Sequence, residues 1–153
     1  MLGFIYIMSN PAHPGLLKIG QTGRDPDIRR KALSPTGVPQ EFVIEYQALS
    51  SDYEALEKKI HRKLSDVRLS KGKEFFKISV PEAINITREE AGNTIEYEKI
   101  FYTSPEELKK LKEEKRKQLA IKEEEKRKKE EAKYPINQRK EWIKLLKKNN
   151  SNK

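Results

Sequence analysis

Almost all the excess positive charge of this chain lies in its last third, which divides the sequence into a domain and a tail. Residues 1–104 carry 15 basic and 14 acidic side chains, whereas residues 105–153 carry 18 basic and 10 acidic ones. A chain of 153 residues has room for one core with appendages. We therefore predict a domain over residues 1–100 and a basic helical tail over residues 101–153, broken near Pro135.

Composition excludes several classes of site and protein. The absence of cysteine rules out disulfides, thiol nucleophiles and thiolate zinc sites, and two histidines are too few for a multi-histidine metal site. No apolar run approaches the roughly 20 residues of a membrane-spanning helix. The opening residues MLGFIYIM lack the basic region and cleavage site of a signal peptide. We expect a cytoplasmic protein with no membrane segment.

The tail has the pattern of two helices. Ser104-Pro105-Glu106-Glu107 is a capping box with proline at the first helical position, and it predicts a helix as far as Lys133. The second helix groups Trp142 with aliphatic residues inside a basic surround, which suits a protein partner, nucleic acid, the domain itself or plain solvent. Its candidate DNA contacts are Arg139, Lys140, Lys144, Lys147 and Lys148.

The first β-prone runs, FIYIM and LLKIG, flank a turn-rich loop and predict a β-hairpin. Strand alternation places the aliphatic residues of both runs on one face, with Tyr6 and Lys18 together on the other. A phenol and an ammonium group therefore share the face opposite the core.

The remaining elements of the domain follow in the order α, β, α, β. Asp25 and Pro26 begin a short helix, and QEFVIEYQAL predicts a third strand with Phe42, Ile44, Tyr46 and Ala48 on one face. An apolar stripe marks the next helix, KEFFKIS is strand-like, and residues 82–91 favour a last helix. This order indicates a small α/β domain whose mixed or antiparallel sheet is flanked by helices.

Several of these segments resemble a known nuclease superfamily. Phe4-Ile5-Tyr6 and Lys18-Ile19-Gly20 resemble the two signature elements of GIY-YIG nucleases. KIGQTGRDPDIRRKAL, GVP, ALEKKIH and KEFF resemble the branch of that superfamily named after a phage open-reading-frame domain. The resemblance covers roughly residues 3–80. It implies a three-stranded antiparallel sheet flanked by helices, and hydrolysis of phosphodiester bonds with a divalent metal.

The resemblance also implies which residues carry the chemistry. Tyr6 matches the tyrosine of the first element, Lys18 stands at the second tyrosine, and Glu57 matches the metal-binding glutamate. Arg29 matches the helix arginine, with Arg30 as the alternative register. The late asparagine of the family is absent, and Glu74 stands near its place.

Phosphodiester hydrolysis gives each candidate a task. Tyr6 would take the proton of the attacking water, with Lys18 lowering the tyrosine pKa. Arg29 would donate to phosphate oxygens, and Glu57 would hold Mg²⁺ or Mn²⁺. His61, four residues after Glu57, would hold a water, relay a proton or orient the glutamate. Taken singly, each residue also has a purely structural explanation.

We therefore predict a metal-dependent endonuclease acting on double-stranded DNA, with a tail that strengthens binding to phosphates. Two alternatives stay open. The same fold would also serve as a DNA-binding module that does not cleave, and the tail would also serve as an adaptor that recruits a protein.

Overall fold

The computed structural model describes residues 1–37, 39–134 and 136–151, with only the backbone of Asn137. Val38 of the GVP element and Pro135 of the predicted break lie outside the described residues. Contacts divide the chain into two units, Met1–Tyr102 and Thr103–Lys153.

The first unit combines five strands with three helices. The strands are β1 (Gly3–Ser9), β2 (Leu17–Thr22), β3 (Val43–Ser50), β4 (Phe75–Phe76) and β5 (Ile95–Ile100). The helices are α1 (Pro26–Leu33), α2 (Tyr53–Lys63) and α3 (Val80–Ala91). The strands form one antiparallel sheet in the order β4-β2-β1-β3-β5. The predicted α/β class with an antiparallel sheet flanked by helices is confirmed.

The hairpin of β1 and β2 has the predicted faces. Tyr6 pairs with Gly20 and Met8 pairs with Lys18, so Tyr6 and Lys18 lie on one face of the sheet. The aliphatic residues that alternate with them are buried in the core; they are Ile5, Ile7, Leu17 and Ile19.

The sheet is wider than the three strands that the resemblance implies. β4 adds two residues outside β2, and β5 adds six outside β3. We did not predict β5 because IEYEKI carries three charges in six residues, a pattern typical of a solvent-facing edge strand.

A β-bulge in β3 corrects one predicted face. Ile7 pairs with Tyr46 but Met8 pairs with Ile44, so Glu45 is an extra residue. The bulge turns Ile44 and the preceding Phe42 to the face that carries Tyr6, whereas Tyr46 stays in the core. The prediction that all of these residues share one face was wrong, since regular alternation does not reveal an inserted residue.

Helices α2 and α3 cover the opposite, aliphatic face of the sheet. Leu56, Ile60 and Leu64 form the apolar stripe of α2 and its C-terminal cap, and all three are buried in the core. Tyr53 packs its ring over Gly3, where an added Cβ would lie 2.5 Å from the ring. The helix is thereby fixed against the sheet at its first turn.

The second unit contains α4 (Pro105–Lys133) and α5 (Ile136–Asn150). The capping box at the start of α4 is confirmed, with Ser104 accepting from the Glu107 backbone and the Glu107 side chain accepting from Ser104. On α5, Trp142 is 69 % exposed. Within the described ranges, the helices are too short or too polar to cross a membrane.

Replacing Ile60 by alanine should destabilise the first unit by about 2–5 kcal/mol, because a fully buried side chain leaves a cavity. The control Ile121→Ala removes a helical isoleucine that is 58 % exposed, and should change stability by no more than about 0.5 kcal/mol. Denaturant unfolding measures both. Equal effects would contradict the placement of α2 over the sheet.

Candidate active site

Tyr6 lies directly across the hairpin from Gly20, and its hydroxyl comes close to the glycine backbone. A Cβ added at Gly20 would lie 2.5 Å from the Tyr6 Oη and 3.0 Å from the Glu74 Oε2. The glycine of the KIG element is therefore required here, because any side chain would displace the tyrosine ring. Tyr6 is 1 % exposed, so its hydroxyl lies beneath the charged groups around it.

Lys18 is buried and paired with Glu74. Its Nζ donates to Glu74 Oε2 at 2.7 Å and lies 5.4 Å from the centre of the Phe75 ring. Glu74 immediately precedes β4, and its carbonyl accepts from the Ile19 backbone at 3.1 Å. Pairing of β4 with β2 thus brings this carboxylate to the lysine.

The structure distinguishes between the two candidate arginines of α1. The exposed Arg29 lies near the Tyr6 hydroxyl and favours the ionised form of the phenol. Arg30 instead pairs with Asp27 at 2.8 Å and Glu41 at 3.0 Å. Consecutive helical residues lie about 100° apart around the axis, which explains why one faces the tyrosine and its neighbour does not.

Glu57 and His61 of α2 contact the outer edge of β2. β4 pairs with β2 at Leu17 and Lys18, and beyond these residues α2 takes its place. The His61 Nε2 donates to the Ile19 carbonyl at 2.8 Å, and Glu57 interacts with the Gln21 backbone N–H. Because a carbonyl oxygen only accepts, this contact places the proton of a neutral His61 on Nε2.

The charges around Tyr6 correct one prediction about its acidity. Its pKa is raised, first by burial and then by the carboxylates of Glu74 and Glu57, although Arg29 opposes the shift. The tyrosine pKa is thus raised in the free protein, whereas we expected Lys18 to lower it. Lys18 is paired with Glu74, so its positive charge is compensated.

Burial and the neighbouring carboxylate also act on Glu57. Its pKa is raised, chiefly by burial and next by Glu74, while the Gln21 backbone and Lys18 oppose the shift. Burial lowers the pKa of His61, so the ring favours its neutral form. The ring also packs against Phe76, with centroids 5.0 Å apart, as an ordinary structural histidine would.

Two half-buried carboxylates lie near Tyr6, and Glu74 is close enough to Glu57 to raise the pKa of Glu57 further, after burial. No group of three His, Asp or Glu residues suited to a metal occurs within the part of the chain that the structure describes. Mg²⁺ commonly uses one or two protein carboxylates and completes its shell with water and phosphate. The donors present therefore fit such an ion.

Glu74 is the residue that sequence reasoning did not select. It was noted only as standing near the place of an asparagine, yet it contacts Lys18 and raises the pKa values of Tyr6 and Glu57. The available signal was its position just before a strand-like run, but the pairing of that run with Lys18 was not evident from the sequence.

The basic candidates of the tail belong to the second unit. Arg139 donates to the carbonyls of Glu131 and Tyr134, each at 3.1 Å, and so satisfies the C-terminal end of α4. The four lysines are exposed along α5; they are Lys140, Lys144, Lys147 and Lys148. Arg139 thus has a structural task at the end of α4.

The raised pKa of Glu57 predicts how stability depends on pH. Above that pKa the folded protein carries a carboxylate that burial and Glu74 disfavour, so Glu57→Gln should raise the Tm at neutral pH. As the pH falls through the raised pKa, the wild type becomes protonated and the difference should vanish. The exposed Glu54 of the same helix provides the control, and Glu54→Gln should not raise the Tm. A destabilising Glu57→Gln would contradict this electrostatic description.

Comparisons with known proteins give one match. Residues 3–91 match the model of the T5orf172 domain, a range that contains Tyr6, Lys18, Arg29, Glu57 and Glu74. Searches of curated proteins and of solved structures each returned no significant match. The matched range includes the whole sheet except β5 together with all three helices of the first unit. The chain belongs to the T5orf172 domain family.

Proposed function

We propose that this protein is a metal-dependent endonuclease that hydrolyses DNA phosphodiester bonds, with residues 1–100 as the nuclease domain. Membership of the T5orf172 family points to a nuclease or DNA-binding role. The observation that carries the finer proposal is that three charged side chains lie close enough to the Tyr6 hydroxyl to shift its pKa; they are Arg29, Glu57 and Glu74. Relationship to the GIY-YIG nucleases is part of this proposal and rests on the FIY and KIG elements.

Arg29 and Glu57 would receive the substrate from two sides. Arg29 is exposed, and its planar guanidinium group can donate two hydrogen bonds to a phosphate. Glu57, with Glu74 beside it, would hold Mg²⁺ or Mn²⁺. When bound, such a cation offsets negative charge on the phosphate and the carboxylates and supplies an activated water.

Tyr6 would accept the proton from the attacking water. In the free protein its pKa is raised and it is 1 % exposed, so the base is inactive before substrate binds. Turning Arg29 towards a phosphate would open the hydroxyl to water. Neutralising Glu57 and Glu74 would remove the two charges that raise the tyrosine pKa, bringing the base closer to the working pH.

Lys18 would contact the phosphate only when its pairing with Glu74 loosens. The ion pair measures 2.7 Å and is mostly buried on the lysine side. A phosphate competes with the carboxylate for the ammonium group, and a cation competes with the lysine for the carboxylate. Both exchanges occur together when metal and DNA are bound at the same time. They therefore favour the complex that contains protein, metal and DNA over a complex of the protein with metal alone or with DNA alone.

Double-stranded DNA is the proposed partner, held also by the tail. The lysines of α5 are exposed, and each phosphate that a lysine neutralises releases counterions, which makes binding sensitive to salt. The exposed apolar residues of the same helix are the proposed surface for a protein partner; they are Trp142, Ile143, Leu145 and Leu146.

A DNA-binding module without cleavage is the second candidate. The observation that favours it is the buried Tyr6 with its raised pKa, which would suit a structural tyrosine equally well. Affinity and cleavage separate the two candidates, because the module would bind DNA and leave it intact.

Glu57→Gln should reduce Mg²⁺-dependent nicking of supercoiled plasmid to background, since the substitution keeps the side-chain shape but removes the charge that would bind the cation. Glu54→Gln, on the exposed side of the same helix, should nick at the wild-type rate. Gel analysis of the plasmid forms measures both. Undiminished nicking by Glu57→Gln would refute the proposed role of this glutamate.

Tyr6→Phe should slow nicking by about 10²–10⁴-fold while leaving DNA affinity nearly unchanged, because only the proton acceptor is lost. Tyr46→Phe is the matched control, since Tyr46 is equally buried but faces the core. Single-turnover rates and binding titrations give the two readouts. If the wild-type protein binds DNA but never cuts it, the binding module would be established instead.

A further inference from the structure

Beside the proposed catalytic residues lies an aromatic cluster that the mechanism does not use. Phe75 pairs with Lys18 across β4 and β2, so its ring lies on the face of Tyr6, whereas the adjacent Phe76 is completely buried in the core. The Phe75 ring centroid is 6.3 Å from that of His13 and 6.2 Å from that of Phe42.

Phe75 and His13 of this cluster line a groove of about 530 Å³, and Phe42 packs against Phe75. Lys18, Arg29 and Glu74 line the same groove. Its size falls within the roughly 300–1,000 Å³ typical of pockets for small ligands. A groove of this size holds about one nucleotide beside the residues proposed to act on a phosphate.

Phe75 and Phe42 are only half-buried, and His13 is exposed. The bulge at Glu45 turns Phe42 towards Phe75 and away from the core. Aromatic rings interleaved with cations are the common means of holding a nucleobase, because any base has a face that can stack. The rings here lie next to Lys18 and Arg29, which suit the attached phosphate.

A base within a duplex cannot use such a ring, since both of its faces are already stacked on neighbouring pairs. A groove that holds one base therefore selects a nucleotide that is unpaired or has been extruded from the helix. The chemistry of this groove thus bears on which DNA structure the site accepts.

We propose that the Phe75 groove is a base-stacking subsite, and that the preferred substrate is DNA with an unpaired nucleotide next to the scissile phosphate. This inference rests on the proposed function for the cleavage itself. The stacking of an unpaired base on Phe75 can be tested without cleavage.

Binding is tested with a single-stranded oligonucleotide that carries a fluorescent adenine analogue, in metal-free buffer. Stacking should quench the analogue, and Phe75→Leu should abolish the quenching and weaken binding about tenfold while keeping an apolar side chain. Phe101→Leu is the matched control. Phe101 is 44 % exposed, follows β5 at the opposite edge of the sheet, and has the Lys99 Nζ 4.8 Å from its ring centre.

Cleavage is tested with labelled duplexes that differ in one unpaired nucleotide. Wild type should cut the unpaired duplex about tenfold faster than the fully paired one, and Phe75→Leu should cut both at similar rates. A merely structural Phe75 would lower both rates and keep their ratio. Melting curves of each variant measure any loss of folding.

The outcomes separate this inference from the proposed function. Cleavage of both duplexes at equal wild-type rates overturns the subsite and leaves the nuclease intact. Quenching lost only in Phe75→Leu, with no cleavage of any DNA, supports the subsite and overturns the nuclease. Quenching that Phe75→Leu leaves unchanged overturns the subsite whatever the cleavage result.

Discussion

The close approach of the Tyr6 hydroxyl to the backbone of Gly20 is the contact on which the candidate site depends. It requires that β1 and β2 pair in one register and that the residue opposite the tyrosine has no side chain. A slip of one residue would turn Tyr6 into the aliphatic core and Ile5 towards the charged groups. The hydrophobic face of the hairpin thus fixes the position of the phenol, and α1 and α2 then supply Arg29 and Glu57 around it.

The short length of β4 is the second constraint. Because β4 pairs with only the first two residues of β2, the Ile19 carbonyl and the Gln21 N–H are met by side chains of α2. Glu57 is consequently held at a sheet edge, half-buried and close to a second carboxylate. In the free protein, burial and then Glu74 raise the pKa of Glu57, so this position disfavours the ionised carboxylate.

Much of the domain could be predicted from residue patterns, and the failures have physical causes. Strand alternation correctly put Tyr6 and Lys18 on one face, because both strands are regular there. It failed for Phe42, because the extra residue Glu45 changes the face without changing the hydrophobic pattern. The place of Glu74 depends on pairing between distant segments. The acidity of Tyr6 depends first on burial and then on three charges that meet only after folding.

Binding of Mn²⁺ to the intact chain, followed by NMR line broadening, tests most directly whether these residues form a metal site. A paramagnetic ion held by Glu57 should first broaden the backbone amide signals of Gly20, Gln21 and Glu57 itself. Those residues lie on two elements far apart in sequence, so their joint response would require the folded site. Broadening that begins in the glutamate-rich α4, or that spares Gly20 and Gln21 at saturation, would contradict the account.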